Sequence, residues 1–155
     1  MMIESHPLSP RLQQFIGLLL RIVMQNHYRF VKQNGLTLPQ MMILYHIQRV
    51  GACTVSDVGE EFGISSAAAS QMLDRLVQQG FLTRQEHPQD RRVKQNSLTE
   101  AGKQIIEASM NAHQSLVAEW VKRIDANTQW QLLPLLDRLI EILQGWFNSS
   151  AFCDE

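Results

Sequence analysis

Arg91 and Arg92 stand side by side directly after His87-Pro88-Gln89-Asp90. Proline and aspartate both favour tight turns, so these four residues read as a turn that projects the two cations. Adjacent guanidinium groups at a turn tip repel each other, and a planar guanidinium matches phosphate oxygens two bonds at a time. Lys94 adds a third cation just beyond them. A second set lies upstream: Ser65, Ser66, Ala67, Ser70 and Gln71, with Arg75 one helical turn beyond Gln71. Serine and glutamine bond phosphates or base edges, and an alanine methyl can touch a thymine methyl. The chemistry these two sets share is contact with double-stranded DNA. Each set has a plainer reading as well. The serines and Gln71 can serve as a helix cap and polar surface, Arg75 can pair with Asp74 or a neighbour, and Arg91 and Arg92 can be solvated turn charges.

The elements that must position these groups are legible from period and punctuation. A capped helix runs from Ser65 to Gln79 and stops at Gly80; an extended run, Phe81 to Glu86, follows, and a return strand ends at Leu98-Thr99. Gly63-Ile64-Ser65 is the short glycine-containing turn expected between the two helices of a helix-turn-helix. Before it, Thr54-Val55 reads as a short extended piece and Ser56 as the cap of a helix with Asp57, Glu60 and Glu61 near its positive end. Thr37-Leu38-Pro39-Gln40 is a capping box with proline in the first turn, and that helix runs to about Val50, closed by Gly51. Two helices against one hairpin with a basic tip make a winged helix-turn-helix, with one helix in the major groove and the tip at the minor groove or phosphates.

Long helices flank this unit. Leu12, Phe15, Ile16, Leu19, Ile22, Val23 and Phe30 recur at helical spacing, which predicts a helix from Leu8 to Asn34. After Thr99 the stripe continues through Ile105, Ala108, Ala112, Leu116, Trp120 and Ile124. Asp125-Ala126-Asn127-Thr128 interrupts it. A last helix carries Trp130, Leu133, Leu136, Leu139, Ile140, Leu143, Trp146 and Phe147. Pro134 should kink that helix or move its start toward Gln131. The fold class is therefore all-α with a small β-wing. The terminal helices hold more apolar surface than a small winged domain covers, which marks an interface and suggests a two-fold dimer.

Composition excludes several classes. With 155 residues, 45% hydrophobic, the chain supports one domain with a real core. Fourteen basic residues face fifteen acidic ones, so net charge is silent on nucleic acid. Between Ile64 and Lys103, however, six cations face four acids, whereas from Gln104 onward three face seven, and the basic middle suits a DNA face. The apolar run Phe15 to Met24 is about half the roughly 20 residues that span a bilayer, and Arg21 interrupts it, so no membrane association is expected. The two cysteines, Cys53 and Cys153, form no framework, which fits a reduced, cytoplasmic protein. The five histidines lack tight metal spacing, although His27 and His113 lie on different long helices that could bring them together. No catalytic constellation stands out. Neither an enzyme nor a bound cofactor or metal is expected.

Several segments resemble the MarR family of transcriptional regulators. Thr54 to Ser65 resembles the first half of its helix-turn-helix, Leu73 to Leu82 the end of its recognition helix, and Asp90-Arg91-Arg92 with Leu98-Thr99-Glu100-Ala101-Gly102 its wing and strand exit. The resemblance implies a homodimer joined through residues 1–35 and 100–155, with residues 36–99 as the DNA-binding lobe of a single domain. It implies a pseudo-palindromic operator and repression or activation, often relieved by a small aromatic or amphipathic effector or by thiol oxidation. A ligand-responsive repressor is the reading favoured here; the alternatives are a thiol-redox-responsive regulator and a winged-helix protein-interaction module without an operator. It assigns Arg92 as the minor-groove finger and Asp90 as the carboxylate that orients it. Tyr28, Met41, Met42 and Tyr45 are the candidate lining of an effector pocket, with plain core packing as the competing reading. Gln95 and Asn96, where the family commonly has apolar residues, predict a wing less firmly packed on its body.

Overall fold

The helix boundaries follow from reciprocal caps. The structure, a computed structural model, describes residues 6–86 and 93–148. Helix α1 spans Leu8–Gln33 and α2 spans Leu38–Val50. At the start of α2, Gln40 Oε1 accepts the Thr37 N–H at 2.9 Å and Thr37 Oγ1 accepts the Gln40 N–H at 3.4 Å, with Pro39 in the first turn. Strand β1, Ala52–Cys53, precedes α3, Val55–Phe62. The cap of α3 is Thr54 and not Ser56. Thr54 Oγ1 accepts the Asp57 N–H at 3.2 Å and Asp57 Oδ2 accepts the Thr54 N–H at 2.8 Å. A cap at Ser56 would put Gly59 at the answering position, which has no side chain to return the bond. The extended piece accordingly lies two residues earlier than Thr54-Val55.

Gly63 closes α3 in the left-handed conformation that a Cβ disfavours, and Ser65 caps α4, Ser66–Gln78. Strands β2, Leu82–Glu86, and β3, Lys94–Leu98, form an antiparallel sheet with β1 in the order β1-β3-β2. The tip between β2 and β3, with Asp90, Arg91 and Arg92, lies outside the described residues. Helix α5 spans Glu100–Val121 and α6 spans Ala126–Asn148. The last helix therefore starts well before Gln131, with Pro134 inside it. Asp125 explains the early start. Its carboxylate accepts the Thr128 hydroxyl at 2.6 Å and the Thr128 N–H at 3.0 Å, bonds that hold its pKa below the ordinary value.

The chain divides into two compact units, Met1–Gln114 and Ser115–Glu155. The core lies in the first. Met41, Ile43, Leu44 and Ile47 of α2 cluster with Val58 of α3, with Ala69, Leu73 and Leu76 of α4, with Leu82 of β2 and with Ile106 of α5. The buried residues of α5 are Gly102, Ile106 and Ser109, not the stripe through Ile105 and Ala108. Phe62 and His46 meet edge to face at 5.8 Å, and Glu61 Oε1 takes Arg49 Nη2 at 2.8 Å, which ties α3 to α2. In the second unit Gln129 Nε2 donates to the Ile124 and Val121 carbonyls at 2.7 and 3.1 Å. Helix α6 buries none of its own residues, and Trp130 is 75% exposed. Among the described residues no helix is long and apolar enough to cross a membrane.

The junction of wing and α5 turns on one close approach. The Thr99 hydroxyl lies 2.6 Å from the Gly80 carbonyl oxygen and accepts the Gly102 N–H at 3.0 Å. A Cβ on Gly102 would fall 2.2 Å from the Phe81 carbonyl oxygen, while nothing lies within 4 Å of one on Gly145. Gly102→Ala should therefore lose about 1–3 kcal/mol or more of stability. Gly145→Ala should be neutral or gain up to about 1 kcal/mol from helix propensity. Thermal melts followed by circular dichroism check both.

Candidate nucleic-acid interface

Helix α4 sorts its residues by a four-residue step. Ala69, Leu73 and Leu76 are buried against the core. Ala67, Gln71 and Arg75 follow one another along an exposed face, with Ser66 beside them. Ser65 is the cap, its hydroxyl accepting the Ala68 N–H at 3.3 Å. Ser70 is half-buried and its hydroxyl donates to Asp74 Oδ2 at 3.4 Å. Asp74 in turn pairs with Arg84 Nη1 at 2.6 Å. Arg75 is therefore not the partner of Asp74, and no described side chain bonds to Arg75 or Gln71. Lys94 is exposed at the start of β3, across the ladder from Glu86.

Arg84 and Asn96 were missed as structural residues by sequence reasoning, and they determine how the wing meets α4. Asn96 is 0% exposed. Its Nδ2 donates to the Cys53 carbonyl at 3.2 Å, and its Oδ1 accepts from Arg84 Nε at 3.0 Å. The expectation of a loosely packed wing is corrected by this geometry. A polar residue on the middle strand is here the shared partner of both neighbouring strands. Arg84, counted among the cations of the basic middle, is engaged inside the protein by Asp74 and Asn96. The sequence carried one signal, an asparagine at an inward-facing strand position, where a buried amide requires partners.

A separate cavity of about 720 Å³ opens between α1, α2 and the middle of α5. Met42 and Tyr45 line it, together with His27, Phe30, Ser109 and His113. Tyr28 and Met41 do not. Tyr28 is 57% exposed and borders a different recess with Gln25, Arg29 and Lys32; Met41 is 0% exposed within the core. Adjacent helical residues point about 100° apart, so the inward direction of His27 excludes Tyr28. His27 stacks on Tyr45 with ring centroids 6.4 Å apart, and the Tyr45 hydroxyl donates to Ser109 Oγ at 2.8 Å. Burial, and then the charge of His113, lower the pKa of His27. Among the described residues no group of three or more His, Cys, Asp or Glu side chains could hold a metal. Cys53 is buried, and burial, with the Asp57 carboxylate adding to it, pushes its thiol up to about 11.

The family model described as MarR family matches residues 34–93, which hold α2 through β2. An uncharacterized HTH-type transcriptional regulator of Bacillus subtilis (strain 168), YwhA, is 30% identical over 99 residues, covering 64% of this chain and 71% of that protein. The chain belongs to the MarR family. The HTH-type transcriptional repressor MdtR of the same organism is 24% identical over 111 residues, 72% of each chain. The crystal structure of the transcriptional regulator Tm0710 from Thermotoga maritima superposes with a TM-score of 0.79 at 19% identity, covering 91% of this chain and 99% of that one. As a member of the MarR family, the protein is a DNA-binding transcriptional regulator.

The buried amide gives the interface a stability test. Asn96→Ala leaves the Cys53 carbonyl and the Arg84 guanidinium each short of a partner. The expected loss is about 1–3 kcal/mol. Gln95→Ala, next to it on the half-buried side, should stay within about 0.5 kcal/mol. Urea denaturation of the two variants beside the parent protein measures the difference.

Proposed function

We propose that this MarR-family regulator is a ligand-responsive repressor that binds a pseudo-palindromic operator as a homodimer. Residues 36–99 form the DNA-binding lobe, and residues 1–35 and 100–155 form the dimerisation helices. The observation that carries the reading is the exposed face of α4, where Gln71 and Arg75 lie over a buried Ala69, Leu73 and Leu76 with no described side chain satisfying them. The start of α4 enters the major groove, with that face contributing Ser66, Ala67 and Gln71, the cap contributing Ser65 and the flank contributing Ser70, and with Arg75 on a phosphate. Arg91, Arg92 and Lys94 of the wing hold the backbone or minor groove, and Asp90 orients Arg92. A narrow minor groove has the enhanced negative potential that favours such an arginine. The relative named as a repressor supports the sign of regulation. The cavity beside α2 supports an effector, and the buried Cys53 thiol, protonated at neutral pH, argues against control through that cysteine.

Fluorescence anisotropy on a mapped operator at several salt concentrations separates reading from holding. Gln71→Ala should change which operator variants bind best. Arg92→Ala should weaken all of them by roughly 1–3 kcal/mol per subunit and lower the salt slope by about one unit for each phosphate that is no longer neutralised. Unchanged affinity and slope for Arg92→Ala would remove the wing from the interface.

Dimerisation is tested on α6. Leu136 and Leu143 are 46% and 57% exposed, so neither supports the core of a single chain. Replacing both by Glu should convert a particle of twice 17.8 kDa into monomer or unfolded chain, seen by light scattering and circular dichroism. A dimer of unchanged mass and melting temperature would place the interface elsewhere.

A further inference from the structure

Among the described residues the ion pairs leave one helix uncompensated. Arg49, Arg84, Lys103, Lys122 and Arg138 each face a carboxylate at 3.7 Å or less. Helix α1 holds four cations, Arg11, Arg21, Arg29 and Lys32, and no Asp or Glu in its 26 residues. All four are exposed, and no described side chain bonds to any of them. Helical spacing places them on one face, since Arg29 and Lys32 follow Arg21 after close to whole turns and Arg11 lies in line with Arg29. The stripe through Leu12, Ile16, Leu19 and Val23 runs down the other side, so association of two chains through that stripe would leave the cations open to solvent. The helix dipole accounts for Lys32 in the last turn but gives Arg11, in the first turn, the wrong sign.

The C-terminal end of this cationic face adjoins the helix that carries the proposed DNA face. The Lys32 carbonyl accepts the Gly35 N–H at 3.3 Å, and the Gly35 carbonyl accepts Gln79 Nε2 at 2.8 Å. Gln79 lies one turn beyond Arg75, whose carbonyl accepts its N–H at 2.9 Å. Arg75 in turn borders a small recess with Thr37 and Gln40 at the start of α2. Along α1 itself Gln25, Tyr28, Arg29, Lys32 and Gln33 line an open recess, so cations, amides and a phenol converge with no acid among them. Those are the groups that bond phosphate oxygens.

We propose that the C-terminal end of α1, through Arg29 and Lys32, is a second nucleic-acid contact, one that takes phosphates of the duplex flanking the operator. The inference rests on the α4 reading above and adds a surface outside residues 36–99. A duplex carries a phosphate on each strand about every 3.4 Å along its axis, so a strand held at Arg75 offers further phosphates toward the α1–α2 turn. Duplex is favoured over an acidic protein segment because the face is continuous with Arg75, the α4 cation that is likewise without a described partner. Phosphate contacts carry no sequence information; they add affinity that depends on salt and on the length of DNA presented.

The test uses the full-length protein and two duplexes, the mapped operator alone and the same operator extended by about ten base pairs, one helical turn, at each end. Fluorescence anisotropy at several salt concentrations reads affinity and slope. The parent protein should bind the extended duplex at least about tenfold more tightly at low salt, with a steeper slope. Replacing Arg29 and Lys32 together by Gln, which keeps helix propensity, should remove most of that gain and lower the slope on the extended duplex by about two units per subunit. Binding to the operator alone should not change. The matched pair Arg11→Gln and Arg21→Gln takes the same charge from the far end of the face, about 16 Å or more from Lys32, and should keep the gain. Equal losses from the two pairs would reduce the effect to net charge and overturn the contact. No gain from the flanks in the parent protein, which needs no variant to read, would overturn it as well. A change of mass by light scattering in the near pair would make this face an interface between copies instead. Failure of the parent protein to bind either duplex would strike the DNA face of α4 itself, and this contact with it.

Discussion

Asn96 sits on the middle strand of a three-stranded sheet with none of its surface exposed, so its amide must be satisfied from inside the protein. An unpaired buried amide costs on the order of 1–3 kcal/mol, a large fraction of the net stability of a small domain. Its two bonds go in opposite directions, to the Cys53 carbonyl on β1 and to Arg84 on β2. One side chain thus joins all three strands. Arg84 carries the linkage onward to Asp74 on α4. Hydrogen bonds are directional where apolar contacts are not, so this chain of three groups fixes an orientation as well as a distance. The base of the wing and the helix whose outer face carries Gln71 and Arg75 are held as one body. The proposed interface, in which the two elements address one duplex at different grooves, requires such a fixed relation.

The terminal helices obey a different constraint. Helix α1 buries Val31 alone, and α6 buries nothing of its own. Phe15, Leu18, Leu20, Trp130, Leu139 and Phe147 remain substantially exposed. Burying apolar surface is favourable by roughly 25 cal/mol per Å², and isolated soluble chains seldom leave faces this large in water. In the proposed dimer, folding of these helices and association of two chains draw on the same surface, which would make the stability of α6 depend on protein concentration.

How much of this was legible in the sequence depended on the range of the interaction. The Thr37 box, the closing Gly51 and the turn at Gly63 are local, and each was readable from residues within one helical turn. The cap at Thr54 was equally local, but Ser56 is the better capping type by rank, and only the reciprocal bond from Asp57 decides between them. Pro134 does not move the helix start toward Gln131, for a related reason. The Asp125 cap starts α6 early, and the helix tolerates the single bond that proline cannot donate. Long-range features were harder. Asn96 looks like a defect in an apolar strand until Arg84 and Cys53 are placed around it. On α5 the stripe found the half-buried Ile105, Ala112, Leu116 and Trp120 but not Gly102 and Ser109, buried positions that no apolar stripe would select. His27 and His113 are separated along the chain by most of the winged lobe, and only the packing of α1 and α5 brings them to one cavity. The wing tip, on which the opening arginine chemistry rests, lies beyond the described residues.

Helix α2 touches both the cavity and α4, the helix that carries the proposed DNA face. Its 13 residues present Met42 and Tyr45 to the cavity while Met41, Leu44 and Ile47 pack in the cluster that holds Leu73 and Leu76 of α4. Gln79, at the end of α4, donates to the Gly35 carbonyl at 2.8 Å in the turn between α1 and α2. Tyr45 is bonded to Ser109 of α5. A core packed to crystal-like density does not absorb a shift of one helix by compressing. Any occupant of the cavity that favours one placement of α2 also favours the placement of α4 that packs with it. DNA that favours the other placement of α4 must then weaken the occupant by the same factor, because a coupling free energy between two binding sites has one value in both directions. Among the described residues no chain of polar contacts runs from the cavity to the outer face of α4, so a coupling between the two would be carried by the apolar packing of α2. Its strength is set by how rigidly Met41, Leu44 and Ile47 seat against α4.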